Sequence, residues 1–178
     1  MQPASTMSEI EDIGVSDVDR ILPLNNSNAL ETSRMDASGM CALLDLAFYR
    51  RGFDGGASAI LIALDRDAPY DNPNFDWFKN RYGSFVYIDR IIVADAARGQ
   101  GLARRLYQDL FARAYAAGHE RVVCEVNIQP PNPISDAFHA TIGFVTVGRA
   151  FLHNARKEVR YLERNCAPIT AKRVAEDS

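Results

Sequence analysis

The sequence predicts one mixed α/β (α+β) domain whose sheet combines parallel and antiparallel strands and is flanked by helices. Its 178 residues suit a single domain spanning 9–164, with an N-terminal tail over 1–8 and a C-terminal tail over 165–178. Segments with apolar residues at helical spacing alternate with short runs rich in Val, Ile and aromatic residues. The predicted order is helix, helix, strand, loop, strand, helix, strand, helix, strand, strand, which requires both crossover and hairpin connections.

The N-terminal third contains two predicted helices and one predicted strand. Residues 15–24 have helical apolar spacing, and we expect Pro23 to end this helix before a turn-rich stretch. Residues 37–50 form the second predicted helix, with Gly52 among the glycines that end it. Residues 57–64 are apolar and are followed by charged residues, which indicates a buried strand.

Residues 68–83 contain two prolines, three asparagines and five aromatic residues. This composition predicts a long loop, or a loop with one helical turn, because prolines interrupt a central strand. Long loops in compact domains are often functional. The segment therefore acts either as a lid over a site or as a cover on one edge of the core.

The C-terminal half is predicted to alternate strands and helices. The predicted strands span 84–93 and 120–126, and a helix over 101–117 lies between them with Gly118 at its end. An irregular joint over 127–133 leads to a short helix over 135–141. The strands 144–152 and 158–162 then form a final hairpin.

Composition argues against several classes of protein. A net charge of −3 gives no overall basic surface, so we expect no nucleic-acid partner. No apolar run approaches the ~20 residues that span a bilayer, and the N-terminus lacks the features of a signal peptide, so we expect a cytoplasmic protein without a membrane partner. The three cysteines are far apart and form no ligand pattern, so we expect reduced thiols and no metal site.

A glycine-containing turn between a strand and a helix is the strongest chemical signal. Residues 98–103 read Arg-Gly-Gln-Gly-Leu-Ala and open the helix that begins near Gly101. The first turn of a helix offers unpaired N–H groups and partial positive charge, and glycines let a phosphate approach. The chain lacks the P-loop pattern, and Arg104 stands where a dinucleotide fold needs its third glycine.

Two motifs together resemble the GNAT superfamily of acetyltransferases. Arg98, Gly101 and Ala103 match the pattern [RQ]-x-x-G-x-[GA] of that family. Further along, Asn132, Ser135 and Phe138 match a second pattern that ends in Gly143-Phe144. The resemblance covers about residues 57–162, and the second motif is also similar to a bacterial subgroup of predicted acetyltransferases.

The resemblance implies acetyl-coenzyme A as co-substrate and a splay between the strand ending at Val93 and the next strand. The pantetheine arm would pair with the backbone of the first strand. The pyrophosphate would bind the N-terminal end of the helix that begins near Gly101, which we call the helix mouth. The cofactor-binding residues implied in this way are Ile91, Ile92, Val93, Arg98, Gly99, Gln100, Gly101, Leu102, Ala103, Arg104, Asn132, Ser135 and Phe138.

Three side chains are candidates for the chemistry of an amine attacking a thioester. His139 stands where the family usually carries a tyrosine acid, and it either acts on the leaving sulfur or is structural. Tyr87 stands where many members carry a glutamate base, and Asp89 shares its predicted strand face. Asp89 is the leading candidate for the base, Glu125 and Glu31 are weaker ones, and a dedicated base is not required.

The acceptor is predicted to be a small-molecule or peptide amine, and the sequence leaves homodimerisation open. Aromatic and acidic residues suit a cationic amine. The residues that we expect near the acceptor are Asn25, Glu31, Asn74, Trp77 and Tyr82. Two other interpretations stay open: a non-catalytic acyl-coenzyme A sensor on the same fold, and an interaction module that uses the aromatic loop.

Overall fold

The computed structural model describes residues 9–152 and 157–167, with the side chains of residues 30 and 31 left out. Within these ranges the chain forms one seven-stranded sheet in the order β1-β2-β3-β4-β5-β7-β6. The strands are β1 (Glu11–Asp12), β2 (Tyr49–Phe53), β3 (Ala59–Asp65), β4 (Val86–Val93), β5 (Arg121–Gln129), β6 (Val145–Leu152) and β7 (Lys157–Asn165). The α-helices are α1 (Val18–Ser27), α2 (Ala29–Thr32), α3 (Ala37–Leu46), α4 (Pro73–Lys79), α5 (Leu102–Ala116) and α6 (Pro133–Thr141).

The predicted mixture of parallel and antiparallel strands is confirmed. β4 and β5 pair in parallel, whereas the other neighbouring strands in the described sheet pair antiparallel. Parallel strands need a crossover, and α5 provides it between β4 and β5. The last two strands form the predicted hairpin.

Apolar layers cover the two faces of the sheet. On one face α5 buries Leu106, Tyr107 and Leu110 against the strands. On the other face α1, α3 and α4 bury a second cluster, in which Phe75 and Phe78 of α4 are fully inaccessible to solvent. Burial of such aromatic side chains stabilises each layer by about 2–3 kcal/mol per residue. The sheet between these layers is therefore the rigid frame of the site.

Two predictions in the N-terminal third are wrong. α1 continues through Pro23 to Ser27, because buried Val18, Ile21 and Leu24 hold its apolar stripe on the core despite the lost hydrogen bond. The second helix ends at Leu46 instead of residue 50, since Tyr49–Phe53 pairs with β3 as strand β2. Strand pairing over a long sequence distance overrides the local helical spacing there.

The aromatic segment 68–83 contains a helix of seven residues and serves as a cover. Asn72 caps α4 by accepting hydrogen bonds from the backbone N–H groups of Asn74 and Phe75, and Pro73 occupies the first turn. Phe75 and Phe78 pack edge to face against Phe85 and Tyr161 respectively, which are core residues. Of the two alternatives for this segment, the cover is the one that these contacts support.

The remaining elements follow the prediction with shifted ends. α5 ends at Ala116, and Gly118 follows with φ +84°, as expected for a glycine after a helix end. β5 continues to Gln129, into the stretch predicted to be irregular, because it pairs with β7 up to that residue. None of the helices in the described part of the chain has the length and apolarity to cross a membrane. The predicted tails fall mainly outside the described residues.

Candidate active site

The site lies where two parallel strands part. β4 and β5 pair only at Val86 with Val122 and at Tyr87 with Val123, near the start of each strand. Beyond Tyr87 no strand of the described chain pairs with the β5-facing edge of β4, although the opposite edge stays paired with β3 up to Val93. The residues predicted to bind through their backbone, Ile91, Ile92 and Val93, lie on this open edge and line the cleft.

A β-bulge in β4 marks the start of this divergence. Ile62 of β3 pairs with Arg90 and Ala63 pairs with Ile88, so Asp89 is the extra residue without an opposite partner. A bulge places consecutive side chains toward the same face and increases the local twist. Asp89 and Arg90 can therefore contact each other, and β4 turns away from β5.

The mouth of α5 has the geometry of an anion site. Gly99 and Gly101 adopt φ +78° and +75°, a region that other L-residues occupy only with strain. No side chain caps the first turn of α5 at Gly101, so its backbone N–H groups stay available. Arg98 and Arg104 line the same end of the cleft and add positive charge. The mouth is thus open, positively polarised and free of a competing carboxylate cap.

One cleft of about 700 Å³ joins this helix mouth to the parted strands. It is lined by every predicted cofactor-binding residue except Gln100, whose side chain instead reaches the carbonyl of Ala96 at 3.5 Å. Asp89 and His139 line it too, whereas Tyr87 is fully buried and does not. The fold therefore gathers two separated motifs and one strand edge into a single cavity.

His139 is almost completely buried and both of its ring nitrogens are engaged. Nδ1 lies 2.7 Å from the carbonyl oxygen of Ser135, which can only accept, so Nδ1 carries the proton in the neutral ring. Nε2 lies 2.8 Å from the hydroxyl of Tyr107, which therefore donates to it. Burial lowers the pKa of His139, and the Ser135 carbonyl partly opposes this shift. The ring is accordingly neutral in the resting protein.

This buried imidazole should make the protein less stable in mild acid. Because the His139 pKa is lower in the folded state than its ordinary 6.5, the unfolded state binds the proton more tightly. The free energy of unfolding should thus fall as the pH drops below 6.5, and His139→Gln should remove part of that slope. Urea denaturation between pH 7 and 5 measures the slope, and identical slopes for the two proteins would exclude His139 as its source.

Glu125 is a site residue that the sequence reasoning underrated. It lies on β5, lines the cleft, and accepts a hydrogen bond at Oε1 from Asn74 at 3.0 Å, while its buried Oε2 has no hydrogen-bond partner. Burial raises the pKa of Glu125 to about 7, with the nearby Asp89 charge adding to the shift and Tyr87 and Lys157 opposing it. The signal in the sequence was a glutamate alternating with apolar residues on a buried strand.

Asp89, the leading base candidate from the sequence, has partners at both oxygens. Arg90 Nε lies 3.1 Å from Oδ2, and Tyr70 donates its hydroxyl proton to Oδ1 at 2.5 Å. Burial raises the pKa of Asp89, and the Arg90 charge opposes this shift. These contacts tie Asp89 to its neighbours and leave it less available than Glu125 to accept a proton.

The residues predicted near the acceptor mostly lie elsewhere. Asn25 and Asn74 are buried, and neither lines the cleft; Trp77 stacks on Tyr161 at 4.2 Å between ring centroids. Tyr82 packs beneath Arg121, and the side chain of Glu31 lies outside the described residues. From the N-terminal helices it is Asn28 and Thr32 that reach the cleft, with Lys157 opposite them on β7. The N-terminal helices therefore contribute to the cleft, but through residues other than those predicted.

Among the described residues no group of three or more His, Cys, Asp or Glu side chains is arranged to hold a metal ion. The cysteines in this part of the chain, Cys41, Cys124 and Cys166, are free. Burial raises the pKa of Cys124 well above its ordinary value, which keeps it a neutral thiol. The site therefore has no activated thiolate for covalent chemistry.

Comparison with solved structures identifies the fold. The ribosomal-protein-S18-alanine N-acetyltransferase from Escherichia coli aligns over 93% of this chain and 98% of its own, with a TM-score of 0.68 at 13% identity. The yncA protein from Salmonella typhimurium, solved with its cofactor acetyl-CoA, aligns over 93% of this chain and 98% of its own, with a TM-score of 0.67 at 19% identity. NAA60 from Arabidopsis thaliana, solved with a bisubstrate analogue, aligns over 89% and 98% with a TM-score of 0.67 at 16% identity.

A protein-family model matches part of this chain. None of the curated proteins matches this sequence. Residues 70–144 match the model described as Acetyltransferase (GNAT) family, and this range includes β4, the α5 mouth, β5 and α6. The resemblance drawn from the two motifs is thereby confirmed over residues 70–144, the segment that matches the acetyltransferase (GNAT) family model.

Proposed function

We propose that this protein transfers an acetyl group from acetyl-coenzyme A to a primary amine by direct attack within a ternary complex. The observation that carries this proposal is the single cleft that joins an uncapped helix mouth, an unpaired strand edge and a buried carboxylate of raised pKa. Each part meets one requirement of the reaction. The helix mouth would bind the diphosphate, the strand edge would hydrogen-bond the pantetheine arm, and the carboxylate would accept the proton of the amine.

The described residues fit acetyl-coenzyme A as co-substrate. The N–H groups at the start of α5, with Arg98 and Arg104, would hold the diphosphate. The open edge of β4 over Ile91–Val93 would hydrogen-bond the amide-containing arm, as a strand edge binds an extended peptide. When bound, the co-substrate supplies an activated acetyl carbonyl for the amine to attack.

Glu125 is the residue that we assign as the general base. An attacking amine must lose a proton, and a base works best when its pKa lies near the working pH. The pKa of about 7 meets this condition, and the Glu125 carboxylate lines the cleft in which the amine would lie. The nearby Asn74 holds Oε1 and so fixes the direction of Oε2.

The acceptor is expected to be a small-molecule or peptide amine. It would enter at the end of the cleft bounded by Asn28, Thr32 and Lys157, opposite the mouth of α5. Burial raises the pKa of the Cys124 thiol and so makes it a poor nucleophile, which favours direct transfer. Within the cell we expect the protein to act in the cytoplasm without a nucleic-acid or membrane partner.

The test combines binding and turnover. Acetyl-coenzyme A at 100 times its Kd should stabilise the folded protein by about 2.7 kcal/mol, and Gly101→Val should lose most of this shift because a branched side chain at φ +75° distorts the mouth. Gly83→Val is the matched control, since Gly83 lies outside the cleft with open space around its Cβ position. Equal thermal shifts in the two variants would contradict the helix-mouth site.

Turnover separates the enzyme from a second candidate, a non-catalytic acyl-coenzyme A sensor. The observation in favour of the sensor is His139, whose resting ring offers no free N–H to a leaving group. Release of free thiol with a panel of amines, followed by mass spectrometry of the products, should show an acetylated amine. Cofactor binding without thiol release for any amine would favour the sensor.

A further inference from the structure

We propose that Tyr107 of α5 is the proton donor to the leaving sulfur, and that His139 positions its hydroxyl group. This inference rests on the proposed acetyl transfer and assigns its second proton step. A thiolate that leaves a thioester is stabilised by a proton donor. We look for this donor at the buried floor of the cleft, which we define as Tyr107, Cys124 and His139.

The hydrogen bonds of the floor leave one suitable donor. The Nδ1 proton of His139 is committed to the Ser135 carbonyl, and Nε2 carries no proton in the neutral ring. Cys124 is a weak donor, and burial raises its pKa well above the ordinary value. The hydroxyl of Tyr107 is the O–H group of this floor, and in the resting protein it donates to Nε2 of His139 at 2.8 Å. Its proton becomes available to the sulfur when Nε2 is itself protonated and donates to the Tyr107 oxygen.

Helix α5 places this hydroxyl in register with the anion site. Ala103 lies in the first turn of α5, and Tyr107 lies one turn further on the same face, since residues four apart are neighbours on a helix. Both line the cleft. A single helix therefore sets the distance between the proposed diphosphate site at its N-terminal end and the Tyr107 oxygen. A side chain on the separate short helix α6 is not tied to the diphosphate site in this way.

The proton balance of this step closes through His139. An S–H bond forms as the Oη–H bond of Tyr107 breaks, and Oη takes a replacement proton from Nε2 of a His139 ring that has been protonated by solvent. The ring returns to its neutral form with Tyr107 donating to Nε2, which is the arrangement in the structure. The proton taken from the amine by Glu125 returns to solvent, so no net charge accumulates.

The experiment compares Tyr107→Phe with Tyr115→Phe, an exposed tyrosine on the same helix that lies outside the cleft. Tyr107→Phe keeps the ring packing and removes only the hydroxyl. We expect kcat to fall about 10²-fold with little change in the Kd of coenzyme A, and Tyr115→Phe to match the wild type. With a selenoester analogue of acetyl-coenzyme A, whose selenolate leaves without help from a proton, the defect of Tyr107→Phe should shrink toward the wild-type rate.

A second readout does not depend on turnover. The ultraviolet absorbance of the thiolate reports the pKa of bound coenzyme A, and a donor at Tyr107 should make that pKa lower in the wild type than in Tyr107→Phe. Equal thiol pKa values and equal kcat values would overturn the assignment of Tyr107. If the wild type acetylates no amine but the thiol pKa still depends on Tyr107, the proposed function fails while the contact stands; if coenzyme A does not bind, both fail.

Discussion

Glu125→Gln should reduce acetyl transfer by 10²-fold or more and should make the folded protein more stable above pH 7. The amide cannot accept the proton of the amine, and loss of a general base costs about 10²–10⁴-fold. The same change keeps an oxygen for the hydrogen bond from Asn74, so the fold should persist. Activity and stability are expected to move in opposite directions because one buried carboxylate governs both.

The stability effect has a defined pH window. The pKa of Glu125 is raised from 4.5 to about 7 in the folded state, so the folded protein binds the proton more tightly than the unfolded chain between these values. Raising the pH through this window therefore costs the wild type about 3 kcal/mol, and the glutamine variant avoids this cost. The difference between the two proteins should vanish below about pH 4.5.

Urea denaturation at pH 5 and pH 8, with initial rates on the preferred amine, checks both halves of this prediction. Glu120→Gln is the matched control, because Glu120 adjoins β5 but is exposed in a surface ion pair with Arg121. Asp89→Asn should retain more activity than Glu125→Gln. A larger loss in Asp89→Asn would return the role of base to Asp89, and a pH-independent stability difference would refute the raised pKa.

Arg90→Leu should destabilise the protein by about 3–5 kcal/mol. Arg90 is 4% exposed, pairs with Asp89, and donates hydrogen bonds to the side chain of Asn25 and the carbonyls of Thr32 and Ser33. Removing it leaves Asp89 as a buried charge without its counter-ion, which is far more costly than losing a surface pair. Urea denaturation at pH 7 measures the loss.

Neutralising Asp89 should rescue part of that loss. In the double variant Arg90→Leu with Asp89→Asn, no charge remains buried, so we expect a coupling energy of about 2 kcal/mol between the two positions. Arg20→Leu is the control, because Arg20 is exposed and its guanidinium lies as far as 3.9 Å from the carboxylate of Asp17. Such a surface ion pair contributes little to stability. Additive effects at 89 and 90, or equal effects at 90 and 20, would contradict the buried pair.

The same substitution should weaken acceptor binding. Arg90 holds the backbone of Thr32, which together with Asn28 lines the end of the cleft that we propose for the acceptor. Loss of this anchor is therefore expected to raise KM for the amine more than KM for the co-substrate. An equal rise in both constants would indicate a general loss of folded protein.

The local sequence was enough to predict the helix mouth and most of the central elements. Glycine at 99 and 101, after an apolar strand and before an amphipathic helix, predicts positive φ values and uncapped N–H groups, which depend on neighbouring residues alone. The strand ending at Val93 and the helix that follows it were predicted correctly for the same reason. The start of strand β2 at Tyr49 was not predicted, since this strand forms only by pairing with β3.

Only the tertiary structure decided the hydrogen bonds and pKa values of the titratable side chains that line the cleft. The bulge at Asp89 depends on pairing with Ile62 of β3, and the hydrogen bond of His139 depends on Tyr107 of α5. The raised pKa of Glu125 depends on burial and on the charge of Asp89 on β4. Short-range patterns encode backbone conformation, whereas burial and hydrogen bonding between distant segments set proton affinities. The sequence therefore determined the backbone conformation of the helix mouth at which we propose that a diphosphate binds, and the folded structure decided the hydrogen bonds and proton affinities of the side chains beside it.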